Sequence, residues 1–163
     1  MSAWESIGKS DEWYTPKYIF DALGCTFDLD VAAPNALTHV PARGFITEGS
    51  LGRDWHGFVW MNPPYGGRNS LSPWLSKFLY HENGVCLVPD RTSAPWFQEH
   101  VQFMDAVLFV REKIKFERPD GSAGKQPGTG SALMAKGPSG VKALINARSL
   151  GWLIVGAQRW GDL

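Results

Sequence analysis

The sequence predicts an α/β fold, a mixed sheet flanked by helices on both faces. Two patterns predict it. Short continuous apolar runs, such as Phe58-Val59-Trp60-Met61 and Val85 to Val88, have the character of strands buried on both faces. Between such runs lie stretches of ten or so residues with apolar side chains at helical spacing, and this alternation marks a helix-covered sheet. Composition agrees. With 163 residues, 44% of them hydrophobic and 20% charged, the chain can bury a core and is not broadly disordered. One domain over residues 1–163 is expected, with 1–12 as a loose, polar N-terminal segment.

The elements follow in order. Thr15-Pro16 has the form of a helix start, Thr as N-cap and Pro at the first helical position, with Gly24 as the stop. Phe27 to Ala33 reads as a short strand running into a turn at Pro34-Asn35. Residues 34–57 have weak periodicity and contain Pro41, Gly44, Gly49 and Gly52, so they read mainly as loop with small elements. The strand at 58–61 stops at two prolines, which cannot donate ladder hydrogen bonds. Ser72-Pro73 opens a second helix, closed near Gly84, before the strand at 85–88. A third helix is expected over 93–104 and a strand over 106–110, continued through Ile114 and Phe116. Residues 118–130 form a Gly/Pro-rich loop. A strand at 131–135, a helix at 139–149 and a strand at 152–155 complete the chain.

Charge is balanced overall, 16 basic against 16 acidic residues, but unevenly placed. Residues 1–110 hold 7 basic and 12 acidic side chains, a net of −5, whereas 111–163 hold 9 and 4, a net of +5. A basic final third suits a polyanion, and chance lumpiness of surface charge gives the same count. Two cysteines, Cys25 and Cys86, do not make a disulfide scaffold or a four-cysteine zinc site, so a reducing cytoplasm is expected. No apolar run nears the roughly 18 residues of a membrane span, and no basic-then-apolar leader opens the chain. The four histidines have no metal-ligand spacing, and no metal is expected. Trp4, Trp152 and Trp160 are assigned to packing.

The sharpest motif is Asn62-Pro63-Pro64-Tyr65, directly after a buried strand. Ligand sites of open α/β sheets lie at the carboxyl ends of strands. An exocyclic amine attacking an electrophilic methyl must free a lone pair delocalised into its ring. Acceptors for its two N–H groups, the Asn62 side chain and a backbone carbonyl, would favour a pyramidal nitrogen, and Tyr65 would offer a face for a planar base. The competing reading is a proline-terminated strand with an aromatic plug. Asp28 and Asp30 alternate on the early strand, so both would face one way, either toward a cofactor hydroxyl or cation or into a turn. Asp54-Trp55 would serve an adenine amine and ring, or an Asx turn beside a core Trp.

The ordered set Trp13-Tyr14-Thr15-Pro16, Phe27 to Ala33, Asp54-Trp55, Trp60 to Gly66, Leu87 to Thr92 with Trp96-Phe97, Lys115-Phe116 and Ser131 to Leu133 resembles the phage-type DNA N6-adenine methyltransferase (Dam) family over about residues 11–136. The resemblance implies a Rossmann-like fold, S-adenosylmethionine as methyl donor and adenine N6 in DNA as acceptor. It implies cofactor contacts at Tyr14, Thr15, Pro16, Asp28, Asp30 and Asp54. It gives Asn62, Pro63, Pro64 and Tyr65 the grip on the target base. Val-Ala-Ala-Pro follows Asp30 where the usual methyltransferase loop soon has a glycine. A phage or prophage origin, action in a bacterial host cytoplasm and protection of DNA from restriction are also implied.

The target amine is hidden in a stacked duplex, so the base must be flipped or presented single-stranded. Arg91 and Thr92 follow a strand end and would face the same cleft. Arg111, Lys113 and Lys115 alternate, placing three cations on one strand face, with Arg118 and Lys125 flanking the Gly-rich loop. These would bind phosphates, or form a merely solvated face. Other outcomes are methylation of cytosine N4, RNA adenine or protein Gln, or an inactive DNA-binding relative. Oligomeric state and target sequence carry no sequence signal.

Overall fold

The computed structural model describes residues 13–65, 70–124 and 128–156. The expectations for residues 1–12, Trp4, Gly66, Lys125 and Trp160 lie outside them. The described elements are α1 (Lys17–Leu23), β1 (Phe27–Asp30), β2 (Ala42–Phe45), a 3-10 turn (Ser50–Gly52), β3 (Val59–Met61), α2 (Leu71–His81), β4 (Gly84–Pro89), α3 (Pro95–Val101), β5 (Ala106–Val110), β6 (Ser131–Lys136), α4 (Pro138–Asn146), a second 3-10 turn (Arg148–Leu150) and β7 (Gly151–Val155).

The strands form one seven-stranded mixed sheet in the order β2-β1-β3-β4-β6-β5-β7. The pairs β1–β2, β1–β3 and β3–β4 are parallel. The pairs β4–β6, β5–β6 and β5–β7 are antiparallel. Apolar side chains of α1 and α4 (Ile19, Phe20, Leu23, Ala143, Leu144) pack with Trp60, Val85, Leu87 and Leu133 on one face. Those of α2 and α3 (Leu71, Leu75, Phe78, Phe97) pack with Val59, Met61, Cys86, Val88 and Met134 on the other. The α/β fold is thus as expected, and it matches a Rossmann-like arrangement. Among the described residues no helix is long and apolar enough to cross a membrane.

Successive connections run from β1 leftward to β2 and from β3 rightward to β4. The crevice between the carboxyl ends of β1 and β3 is therefore a topological switch point, the place where open α/β sheets bind ligands. Register fixes what meets there. Asp30 pairs with Trp60, and Met61 pairs with Cys86.

Several local expectations differ from the structure. Pro16, not Thr15, occupies the N-cap of α1, and no side chain caps that end. The Thr15 hydroxyl is engaged instead with a residue 47 positions away, so a long-range partner overrides the local capping rule. Helix α2 ends at Glu82, which takes the left-handed conformation (φ 64°) in place of the expected glycine stop. Gly84 lies in β4, where a Cβ would sit 2.7 Å from the Val59 carbonyl oxygen and 2.9 Å from the Phe78 ring. Helix α3 is shorter than expected because Pro95 sets its start and the chain leaves the helix after Val101. Strand β2 is one of the small elements within the segment read mainly as loop, and the sequence does not mark it as a strand. Its sequence Ala-Arg-Gly-Phe has no apolar run, and it is an edge strand with Arg43 and Phe45 exposed.

The strand over 106–110 does not continue through Phe116. Glu112 has φ 62°, which turns the chain out of the sheet. Arg111, whose N–H donates to the Leu150 carbonyl (2.8 Å), is thereby separated from Lys113 and Lys115. The three cations do not share a strand face. Trp152 is 68% exposed at the sheet edge and leans on Phe109 with ring centroids 5.8 Å apart, so it is not a packed core residue.

Candidate functional site

Asn62 leaves β3 at the switch point, directly before Pro63. A residue preceding proline is restricted to extended backbone, and Pro63 is itself buried, so the Asn62 side chain is delivered from a stiff support. Its amide is held at both ends. Nδ2 donates to Thr15 Oγ1 (3.2 Å), and Oδ1 accepts from the Tyr65 hydroxyl (2.8 Å). The same hydroxyl lies 3.1 Å from the Leu87 carbonyl oxygen of β4. Burial pushes the Tyr65 phenol above its usual value, so the group stays protonated and remains a donor.

The arrangement places an O–H between two acceptors, the Asn62 side chain and the Leu87 carbonyl. That is the kind of environment an exocyclic amine would need. Leu87 was not legible as a site residue, because a main-chain carbonyl leaves no mark in the sequence. Tyr65 points its hydroxyl into this pocket and packs its ring against the core, rather than standing open as a platform. Pro64 is exposed beside it.

Asp30 ends β1 and is only 3% exposed. One oxygen accepts the Ala32 N–H (3.1 Å), which stabilises the charge. Burial outweighs that bond and raises its pKa to about 7. A buried carboxylate so sparsely bonded, at a switch point, suits a ligand that brings hydroxyl or ammonium donors. Asp28 does not join it. At the amino end of β1 its carboxylate accepts the Phe58 N–H (2.8 Å) and meets Arg43 (3.3 Å). It fastens β1 to the entry of β3.

Tyr14, Thr15 and Pro16 line the approach to the crevice, all three buried. Tyr14 forms a backbone bridge with Glu117 (2.7 and 2.9 Å), and its hydroxyl accepts from Asn35 Nδ2 (2.7 Å) in the loop after β1. His39 of that loop pairs with the Glu117 carboxylate at 2.7 Å. Asn35, His39 and Glu117 thus clasp the loop following Asp30 to the segment carrying Thr15. The sequence carries no signal for this clasp, since its members are far apart in the chain.

Asp54 is exposed in the segment between the first 3-10 turn and β3. Its neighbour Trp55 is a core residue. The indole N–H donates to Ser50 (2.9 Å to Oγ), Lys77 sits over the ring at 4.9 Å, and Trp74 stacks at 6.4 Å. Trp55 therefore packs toward α2.

Arg91 and Thr92 are exposed just after β4, at the same carboxyl end of the parallel strands as Asn62. Lys113 and Lys115 are exposed on either side of fully buried Ile114. Arg118 stacks over Trp13 at 5.0 Å and donates to the Ala123 carbonyl (3.4 Å). Gly124 permits this packing, because a Cβ there would meet the Trp13 ring at 2.1 Å. Among the described residues no group of three or more His, Cys, Asp or Glu could hold a metal ion.

No curated protein and no solved structure matches the chain. A family model does, that of DNA N-6-adenine-methyltransferase (Dam), over residues 6–137. With most of its length matched, the chain belongs to the Dam family of DNA adenine N6 methyltransferases.

Proposed function

We propose that the protein transfers a methyl group from S-adenosylmethionine to N6 of a DNA adenine lodged between Asn62 and Tyr65. The observation that carries this reading is the Asn62 amide, fixed at the switch point with its oxygen and the Leu87 carbonyl both within reach of one hydroxyl.

S-adenosylmethionine supplies an electrophilic methyl group when bound. Its fit rests on Asp30, whose buried carboxylate lacks donors that a cofactor's hydroxyl or amino groups would provide. Pro16 and Tyr14 adjoin the same crevice, whereas the Thr15 hydroxyl is engaged by Asn62 and Asp28 is committed to Phe58 and Arg43.

The chain's own residues do three things. Asn62 Oδ1 and a backbone carbonyl accept the amine N–H groups, drawing the nitrogen toward a pyramidal shape with an available lone pair. The Pro63-Pro64 support limits drift, and positioning of this kind supplies much of the rate. When the amine arrives, Tyr65 gives up its hydrogen bond to Asn62 and its ring turns out of its core contacts to stack on the flipped base, a contact worth about 1–3 kcal/mol by analogy with base–aromatic platforms. Asn62 is neutral and takes no proton, so the excess proton leaves to solvent after transfer. The exposed cations Arg91, Lys113, Lys115 and Arg118, with Thr92, hold the phosphates of a duplex whose target base is extruded.

Incubation with methyl-labelled S-adenosylmethionine and unmodified duplex DNA, followed by nucleoside analysis, tests the reading. Label in N6-methyladenine is expected. Label confined to cytosine, RNA or protein overturns it.

A further inference from the structure

We infer that Thr15 is a positioning residue for Asn62, its hydroxyl holding the amide in place with the accepting end toward the target. The inference rests on the amine-clamp reading and deepens it. An amide side chain has a broad, roughly two-fold terminal torsion. Its two ends differ in chemistry, one donating and one accepting. A target amine needs the accepting end. If the amide were reversed, NH2 would face NH2 and only the backbone carbonyl would be left to accept an N–H of the substrate.

The observed bonding has the useful orientation. Nδ2 is spent on Thr15 Oγ1 at 3.2 Å, which leaves Oδ1 for the Tyr65 hydroxyl at 2.8 Å. An amine replacing that hydroxyl finds the oxygen already turned toward it.

Thr15 is built to hold a fixed point. It precedes Pro16, which confines its backbone to extended conformations, and Pro16 has φ −61° and ψ 147°. Tyr14, on the other side, is pinned by two backbone bonds to Glu117. Thr15 is 5% exposed, and a β-branched side chain has few χ1 choices. Helix α1 needs no cap from this hydroxyl and receives none. The side chain is therefore committed across the crevice, to Asn62.

Three variants and two readouts test it. Thr15→Val keeps the shape and removes the acceptor, Thr15→Ser keeps the acceptor, and Thr15→Ala is the substitute if Val does not fold. The first readout is the Asn62 side-chain amide in the cofactor-free protein, followed by NMR. In wild type and Thr15→Ser its two protons should be dispersed and protected from exchange, and in Thr15→Val they should collapse toward free-amide behaviour. The second is steady-state kinetics. Thr15→Val should lower kcat about 10–100-fold with the cofactor dissociation constant changed less than about twofold, and Thr15→Ser should restore most of kcat. An unchanged Asn62 amide in Thr15→Val overturns the inference. So does a loss confined to cofactor affinity at constant kcat. The amide readout needs no substrate, so it separates failure of this tether from failure of the methyl-transfer reading, which the nucleoside analysis decides.

Discussion

The parallel half of the sheet and its antiparallel half handle polar groups in opposite ways. In the parallel half, polar side chains at the carboxyl ends of β1 and β3 are withdrawn from solvent and held by named partners: Asp30 by Ala32, Asn62 by Thr15 and Tyr65. In the antiparallel half, the segment leaving β5 keeps Lys113 and Lys115 in solvent, with only Ile114 between them anchored in the core. Methyl transfer demands atoms placed to a fraction of an ångström, and hydrogen-bonded groups on strand ends meet that demand. Attraction of a polyanion demands only charge within a Debye length, and exposed loop residues meet it. The net −5 and +5 of the two chain segments thus accompany two different requirements. Each variant below breaks one side of the contrast.

Asn62→Ala removes the oriented acceptor and should have the largest effect. Methyl transfer should fall about 100-fold or more, with cofactor binding measured by calorimetry nearly unchanged. Equal loss of cofactor affinity would move Asn62 from the target side of the crevice to the cofactor side.

Tyr65 separates ring from hydroxyl. Tyr65→Ala should weaken binding of a duplex with a destabilised target base by about 5–150-fold, the equivalent of roughly 1–3 kcal/mol of stacking. Tyr65→Phe should not weaken it, because the missing hydroxyl no longer competes with the incoming amine for Asn62 Oδ1. Equal weakening in both variants, read by fluorescence of a base analogue at the target position, would show that the hydroxyl contributes to holding the base.

Asp30 tests the parallel half through pH. Burial raises its pKa from 3.8 to about 7. Between those values the folded protein holds a proton that the unfolded chain has released, so this group makes stability fall as pH rises through that window, levelling above it. Asp30→Asn should therefore raise the melting temperature by a few degrees at pH 8 and by little at pH 4. Cofactor affinity should move the other way, falling about 10-fold at pH 8 through loss of charge-assisted hydrogen bonds. A stability gain of equal size at both pH values would show that charge burial is not its cause.

The contrast also explains what was legible in the sequence. Strands β3 and β4 were visible because each is buried on both faces, and burial writes a continuous apolar run. Strand β2 was not, because an edge strand of four residues with Arg43 and Phe45 in solvent needs no such run. Asp28 and Asp30 look equivalent at period two. The structure separates them because a four-residue strand puts one beside the Phe58 N–H at its entry and the other at its exit. Thr15-Pro16 obeys every local rule for a helix cap, yet the hydroxyl serves Asn62. In each case the deciding partner is distant in sequence: Phe58 lies 30 residues from Asp28, and Asn62 lies 47 from Thr15. The motif Asn62-Pro63-Pro64-Tyr65 was legible because its rigidity and its chemistry are both local.

The smallest expected effect lies in the antiparallel half. Lys113→Ala combined with Lys115→Ala removes two cations whose side chains stand in solvent, so folding should be unaffected. Affinity for duplex DNA should fall only a few-fold at moderate salt. The decisive quantity is the slope of log affinity against log salt concentration. It should become less steep by about 1.8, or 0.9 for each phosphate that the protein no longer neutralises. Arg111, bonded through its backbone to Leu150 and turned away by Glu112, should change that slope less when replaced by Ala. If Arg111→Ala alters the slope as much as the double variant does, the phosphate path follows the sheet edge at β5 and β7 rather than the segment beyond Glu112. An unaltered slope in both variants would remove Arg111, Lys113 and Lys115 from the DNA-binding surface and leave the phosphates to Arg91 and Arg118.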